Sequence, residues 1–228
     1  MKLPYSSALI FNKQIKDSPT YDDKVMITID ISYPVVKIPN KLVQSLIISR
    51  TLKNFANKFN VRAEKELFNQ AVANYKDSLQ TGFPFFPYDA MQTYEVTYNR
   101  KDLLSLYFDQ YVYTDGAHGN TERTGFTFNN KTGLRMKLQD FFNSSGYLKV
   151  MYDEIIRQIE VQLAENPGIY FDDYKKNVVK YFEAKNFYLS NKGFVIFYPL
   201  YTIAPYVTGI AAFTIPYAML KRYMIRPL

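Results

Sequence analysis

The sequence predicts an α+β protein with a mostly antiparallel β-sheet, built from a meander plus a hairpin, and with helices packed on one face. Three observations support this class. Apolar residues alternate with polar ones over residues 24–36, recur with helical spacing over 40–75, and alternate again from residue 91 onward. Because strands and helices come in separate blocks, a parallel sheet of strictly alternating strands and helices is not expected.

The first half begins with an arm, residues 1–23, that contains a possible edge strand. A half-buried strand follows over residues 24–36, and its apolar face comprises Val25, Ile27, Ile29 and Ile31. Asn40 then provides an N-cap for a long helix or two shorter ones, which end at TGFPFFP. The apolar stripe of the first part comprises Leu42, Val43, Leu46, Ile47, Leu52, Phe55 and Phe59.

From Met91 the apolar period becomes two, which predicts a β-meander of about four strands. Turns are expected at residues 99–102, in the GAHGN segment at 116–120 and in the KTG segment at 131–133. Gly116 and Gly119 are expected to supply positive φ angles, and Asp115 is expected to cap that turn. The short strand LRMKL and a helical turn near 138–142 end the meander.

A helix is predicted from about Gly146 to Glu165, and Asn166-Pro167-Gly168 ends it. The rest of the chain predicts a hairpin (NFYLS, a turn, FVIFYP), a connection rich in Pro and Tyr at 197–209, the strand AAFTIPY and a short terminal helix. We expect residues 24–228 to form one α+β domain, made of the sequence segments 24–88 and 89–228.

Composition excludes several kinds of site. The chain has 228 residues, of which 47% are hydrophobic, with 21 Tyr, 18 Phe, no Cys and one His. A packed protein is therefore expected, without disulfides, thiolate metal sites, a cysteine nucleophile or a site of several histidines. No sequence motif indicates a cofactor, and we expect neither a cofactor nor a metal. We also expect no signal peptide or transmembrane segment in this chain.

The single histidine, His118, lies between two glycines, with Asp115 and Glu122 close in sequence. A catalytic histidine needs an orienting carboxylate and a nucleophile or substrate within reach. No nucleophile elbow, zinc-binding motif or nucleotide-binding motif accompanies His118. We therefore interpret GAHGN as a turn or a partner contact and predict no catalytic residue.

Several irregular motifs occur in a fixed order: the GAHGN loop, the run from strand through KTG to LxDFF at 126–142, FYPLYTIAPYVTG and FTIPY. In this order the chain resembles a family of bacterial domains of unknown function. That family is known from the extracellular part of lysozyme-sensing anti-sigma-V factors and from the region before the catalytic domain of some peptidoglycan deacetylases. The resemblance covers roughly residues 20 to 222.

The resemblance implies an α+β sensor or binding domain that works outside the membrane, on the cell surface or in the extracellular space. Its partner would be a lysozyme-like protein or an anionic cell-wall polymer, and membrane attachment would need an anchor outside this chain. By analogy, the candidate partner-binding residues are His118, Pro199, Tyr201, Pro205 and Tyr206.

Two alternatives stay open. The first is an envelope-glycan hydrolase, or a deacetylase-associated domain, that uses His118. The second is a basic nucleic-acid-binding protein, suggested by the net charge of +7. Nucleic acid is not the expected partner, because the basic residues are scattered, and salt-sensitive retention on DNA would favour it.

Overall fold

The computed structural model describes residues 7–228, so the first six residues of the predicted arm lie outside the described residues. The elements of the first half are β1 Leu9–Asp17, β2 Thr20–Tyr21, β3 Lys24–Val25, β4 Ile27–Lys37, α1 Leu42–Arg62, a π-helix Ala63–Leu67 and α2 Phe68–Thr81. Those of the second half are β5 Tyr88–Arg100, β6 Leu103–Tyr113, β7 Asn120–Asn129, a 3-10 helix Leu138–Phe141, α3 Tyr147–Glu165, α4 Tyr174–Lys180, β8 Phe187–Leu189, β9 Gly193–Tyr198, a 3-10 helix Tyr206–Thr208, β10 Ala211–Pro216 and α5 Tyr217–Leu220.

These elements divide into two units. The N-terminal unit contains Ala8–Glu95 and Phe108–Glu122, and the C-terminal unit contains Val96–Tyr107 and Arg123–Leu228. The strands β5, β6 and β7 each contribute residues to both units. That residues 24–228 form a single domain stays a prediction.

The α+β class is confirmed by the sheets. One sheet has five strands in the order β1-β4-β5-β6-β7, and another has three in the order β10-β9-β8. Strand β1 is antiparallel to β4, and β9 is antiparallel to both of its neighbours. Strands β4 and β5 are parallel, because the helical run 42–81 crosses over between them, as a parallel pair requires.

The core of the N-terminal unit lies between β4 and the long helical run. Ile27, Ile29 and Ile31 of β4 are almost completely buried, which confirms the predicted apolar face. The helical residues in the same core are Ala56, Phe59, Ala63, Leu67 and Ala71. Because three of these five are alanines, the helical backbone can lie close to the sheet.

Met26 alternates with the predicted apolar face of residues 24–36 and would therefore lie on the opposite, more polar face, but the structure does not place it there. Its side chain is fully buried, because the strand is interrupted at this residue, between β3 and β4. The Met26 N–H donates to the Pro19 carbonyl at 3.0 Å, and its carbonyl accepts from the Tyr88 N–H at 2.9 Å. The simple alternation of faces therefore does not hold at Met26.

The predicted helix is present, but its first turns bury a different face. Three residues of the predicted apolar stripe are mostly exposed: Leu42, Val43 and Leu46. Two serines face the strand instead, since Ser45 Oγ accepts from the Ile38 N–H at 2.8 Å and Ser49 Oγ accepts from the Val36 N–H at 2.9 Å. Asn40 is not the N-cap; it has a φ of 58° and lies one residue before it.

The predicted hairpin turn between β5 and β6 is confirmed. Lys101 and Asp102 have φ angles of 53° and 62°, as both central residues of a type I′ turn require. The KTG turn is also confirmed, because Gly133 has a φ of 76° and its N–H donates to the Asn129 carbonyl at 2.7 Å. The strand expected at LRMKL is reduced to an isolated bridge between Phe128 and Arg135.

Aromatic residues form a large part of the core of the C-terminal unit. The predicted helix is confirmed as α3, and it contributes buried Met151, Ile155 and Ile159. The aromatic members of this core include Phe141, Phe142, Tyr147, Tyr170, Phe187, Phe194, Tyr198 and Phe213. The short helix α4 was not predicted. No helix within residues 7–228 combines the length and apolar character needed to cross a bilayer.

Candidate functional site

Four of the five predicted partner-binding residues lie in one loop of the C-terminal unit, residues 199–210, which connects β9 to β10. Two residues in the middle of the loop, Ile203 and Ala204, are buried. The Ile203 carbonyl accepts from the Phe171 N–H at 3.1 Å, and Thr208 Oγ1 donates to the Ile169 carbonyl at 2.7 Å. These hydrogen bonds anchor the loop to residues 169–171.

Tyr201 has an unusual backbone conformation for a residue with a large side chain. Its φ is 60°, a left-handed conformation that is rare for bulky side chains and that often marks functional sites. The side chain is 53% exposed, and its ring lies 5.6 Å from the Tyr206 ring, at an interplanar angle of 30°. The loop therefore holds two tyrosine rings side by side, one of them on a strained backbone.

Two further apolar residues are exposed, one in the loop and one in the segment that is hydrogen-bonded to it. Val207 is 87% exposed and Phe171 is 36% exposed, and the hydrogen bond from the Phe171 N–H ties its backbone to the loop. We call Tyr201, Tyr206, Val207 and Phe171 the tyrosine-loop surface. The sequence analysis did not single out Val207 or Phe171. Val207 lies inside the Pro/Tyr motif and could have been included, whereas nothing in the sequence around Phe171 points to this loop.

His118 lies in the N-terminal unit, in the connection between β6 and β7. Its side chain is exposed, with Nδ1 3.1 Å from the Gly119 carbonyl oxygen. The prediction that Gly116 and Gly119 supply positive φ angles is wrong, because Asp115 has the positive φ, 61°. Gly119 is instead close to a neighbour: a Cβ there would lie 2.2 Å from the Tyr111 ring.

The imidazole borders a small polar cleft of about 230 Å³ within the N-terminal unit. The cleft is lined by Phe59, Arg62, Leu67, Gln70, Gln110, Val112, Thr114, His118, Asn120 and Glu122. Of the two carboxylates near His118 in sequence, Glu122 lines the cleft and Asp115 does not. Burial first, and the negative charge of Asp115 second, raise the pKa of Tyr88.

The arrangement around His118 provides hydrogen-bonding groups without an evident metal site. Within residues 7–228, no group of three or more His, Cys, Asp or Glu side chains is placed to hold a metal ion. The expectation of no metal and no cofactor stays a prediction, and so does the role of the five candidate residues in partner binding. His118 and the four loop residues belong to different units.

Comparison with known proteins supports the resemblance found from the motifs. Residues 21–121 match the family model described as Deacetylase PdaC, and residues 139–218 match the model Protein of unknown function (DUF3298). The anti-sigma-V factor RsiV of Bacillus subtilis is 24% identical over 209 residues, which are 90% of this chain and 68% of that protein. The resemblance to anti-sigma-V factors and deacetylase-associated domains is therefore confirmed.

Two solved structures share the fold. A member of the DUF3298 family from Bacteroides fragilis is 18% identical and superposes with a TM-score of 0.66, over 99% of this chain and 96% of that one. A DUF3298 family protein from Pseudomonas aeruginosa is 14% identical, with a TM-score of 0.57 over 96% of this chain and 94% of that one. These likenesses concern the fold alone.

Proposed function

We propose that this chain is a non-enzymatic, extracytoplasmic binding or sensor domain that recognises a wall-targeting protein such as lysozyme, or another component of the cell envelope. The tyrosine-loop surface is the observation that carries the proposal. The match to an anti-sigma-V factor over 90% of the chain supports a sensor role and a location outside the cytoplasm.

The chemistry of the loop suits protein recognition. Tyr and other aromatic residues provide most of the energy at many interfaces, because a ring buries a large area while losing little conformational freedom. Tyr201 and Tyr206 are already held in place by the anchored loop, so binding would order few additional bonds. Such a surface can recognise a protein partner by binding alone, without a catalytic residue.

The tyrosine-loop surface has carboxylates beside it that a basic protein partner can approach. The chain as a whole carries a net charge of +7, which by itself would repel a basic partner such as lysozyme. However, two exposed carboxylates, Asp172 and Asp173, directly follow Phe171 of the tyrosine-loop surface. Charges close to an interface affect binding more than distant charges do, because salt screens the distant ones more strongly. Asp172 and Asp173 can therefore offset part of the repulsion of a basic partner.

Calorimetric titration of the full chain against lysozyme, and separately against purified wall fractions, tests the proposal. We expect saturable binding of one of them, and we expect Tyr201→Ala and Tyr206→Ala to weaken it at least about tenfold, as for interface hot spots. Tyr181→Ala is the matched control, because Tyr181 is 38% exposed in the same unit. Absence of binding to either, or equal losses in all three variants, would overturn the proposal.

The family match of residues 21–121 to a deacetylase model favours a second candidate, a domain that acts on envelope glycan through His118. The two candidates predict different results in one assay. If the chain released products from purified wall material, and His118→Ala abolished this activity without changing the fold, the non-enzymatic proposal would be wrong.

A further inference from the structure

We infer that the cleft beside His118 is a binding site for a small, uncharged, polyhydroxylated ligand, such as one sugar unit of a glycan. This site lies in the N-terminal unit and shares no residue with the tyrosine-loop surface. The inference therefore does not rest on the proposed function, and either can fail without the other.

One wall of the cleft depends on the π-helix. Phe59 and Arg62 come from α1, Leu67 ends the π-helix and Gln70 belongs to α2. Residues 62 and 67 are five apart, which is about 1.4 turns of an α-helix and would place them on different faces. In the π-helix the Phe68 N–H bonds to the Ala63 carbonyl, five residues earlier. This wider turn lets both residues line the cleft, and π-helical turns are frequent at functional sites.

The other wall comes from two strands and their connection. Gln110 and Val112 belong to β6, and Asn120 and Glu122 belong to β7. In each strand the two residues are two positions apart, so both side chains lie on the same face. Four positions on adjacent strands therefore present one continuous surface to the cleft, and the connection adds His118.

The polar groups in the cleft suit hydroxyl recognition. The amides of Gln70, Gln110 and Asn120 can each donate and accept, while Arg62 donates and Glu122 accepts. Sugar hydroxyl groups need both kinds of partner. The apolar members of the lining are Phe59, Leu67 and Val112. They are three of the ten lining residues, and Phe59 and Leu67 are only 4% and 3% exposed, so recognition would depend mainly on the polar groups.

At least one of these amides is held in place from behind. Gln110 Nε2 donates to Gln92 Oε1 at 2.7 Å, and Gln92 Nε2 donates to the Ser32 carbonyl at 3.0 Å. Gln92 is 1% exposed, so it does not touch solvent and acts as a fixed support. A binding group that is supported by a buried partner is preorganised, which reduces the cost of binding.

Charge and size narrow the ligand class. Arg62 and Glu122 bring one charge of each sign into the cleft, and the Arg62 Nε lies 3.8 Å from a Glu66 carboxylate oxygen. An anion would face Glu122, and an organic cation would face Arg62, so an uncharged ligand fits best. The volume of about 230 Å³ is below the roughly 300–1,000 Å³ of pockets for drug-sized ligands. The cleft therefore fits a single unit.

The test is an NMR titration of the full chain with N-acetylglucosamine, with glucose and with inorganic phosphate. We expect saturable shifts of Gln110 and Asn120 resonances with at least one of the two sugars and not with phosphate. Gln70→Ala and Glu122→Gln should each weaken sugar binding about five- to tenfold, the effect of one hydrogen bond. The matched controls are Asn69→Ala, an exposed neighbour on α2, and Glu95→Gln, an exposed carboxylate on β5.

Three results would overturn the inference: no saturable binding of either sugar, binding of phosphate at the same resonances, or equal weakening in cleft and control variants. Circular dichroism of every variant verifies that the fold is intact. Tyr201→Ala should bind the sugar normally, so a failure of this site and a failure of the proposed function give different patterns.

Discussion

The left-handed conformation of Tyr201 leads to a quantitative prediction about stability. Its φ of 60° costs an L-residue about 1–2 kcal/mol, a cost that glycine does not have. The contact between the Tyr201 and Tyr206 rings contributes about 0.5–1.5 kcal/mol. Replacing Tyr201 by Ala removes the ring contact and keeps the strain, whereas replacing it by Gly removes both.

The two substitutions should therefore rank in an unusual order. Glycine loses about 0.5–1 kcal/mol relative to alanine through its greater freedom in the unfolded chain, but at this φ it gains the larger strain term. We expect Tyr201→Gly to be more stable than Tyr201→Ala by about 0.5–1 kcal/mol. Both variants should lose partner binding, since both lack the ring.

Urea denaturation of the full chain, followed by circular dichroism, measures this difference. The two control variants are Tyr206→Ala and Tyr206→Gly, because Tyr206 is not among the described non-glycine residues with positive φ. There the ordinary order should hold, with the Gly variant less stable than the Ala variant by about 0.5–1 kcal/mol. If Tyr201→Ala proved as stable as Tyr201→Gly, or more so, the argument that the loop stores backbone strain would be refuted.

Three other predictions concern stability in the C-terminal unit, with one control substitution in the N-terminal unit. Ser105→Ala should cost about 1–3 kcal/mol in the free energy of unfolding measured with urea, because Ser105 Oγ accepts from a buried backbone N–H of β8 at 2.9 Å. Gly125→Ala should lower the free energy of unfolding by about 1–3 kcal/mol or more, since the new Cβ would lie 2.0 Å from a backbone carbonyl oxygen of β8. Gly116→Ala is the control: the atom nearest to its new Cβ is 3.9 Å away, so the free energy of unfolding should change by less than about 0.5 kcal/mol. The Arg157 side chain, by hydrogen bonding, holds the pKa of Glu154 below its ordinary 4.5. The ionised Glu154 carboxylate therefore stabilises the folded protein fully above pH 4.5, and this contribution is lost as the pH falls through the folded-state pKa. Because Glu154→Gln has no such contribution to lose, its free energy of unfolding should fall less on acidification than that of the parent chain.

Much of the fold could be predicted because it follows from local pattern. The alternation at Ile27, Ile29 and Ile31 and the glycine at residue 133 each determine local structure without help from distant residues. The first turns of α1 show where prediction from local pattern fails. Its serines Ser45 and Ser49 bind the backbone of β4, so tertiary hydrogen bonds selected a polar face that hydrophobic spacing does not reveal.

The candidate sites were predictable to different extents. The tyrosine loop was identified because its prolines and tyrosines are contiguous in sequence, although the strained φ of Tyr201 has no sequence signal in a bulky residue. The cleft could not be predicted. Its lining comes from residues 59–70 and 110–122, and its shape depends on a π-helical turn, which periodicity analysis reads as an ordinary helix.

The net charge of +7 offers a way to tell the two proposed partner classes apart. Binding of an anionic wall polymer by scattered lysines and arginines would weaken steeply with salt and would not depend on Tyr201. Lysozyme would bind through aromatic contacts, be attracted by the nearby carboxylates of Asp172 and Asp173, and be repelled by the net positive charge of the chain. Because salt screens the attraction and the repulsion alike, the two changes partly cancel. We therefore expect affinity for lysozyme to change less than about threefold between roughly 0.05 and 0.5 M NaCl, measured by calorimetry. A steep loss of affinity for both the parent chain and Tyr201→Ala would show that net charge, rather than the tyrosine loop, drives recognition.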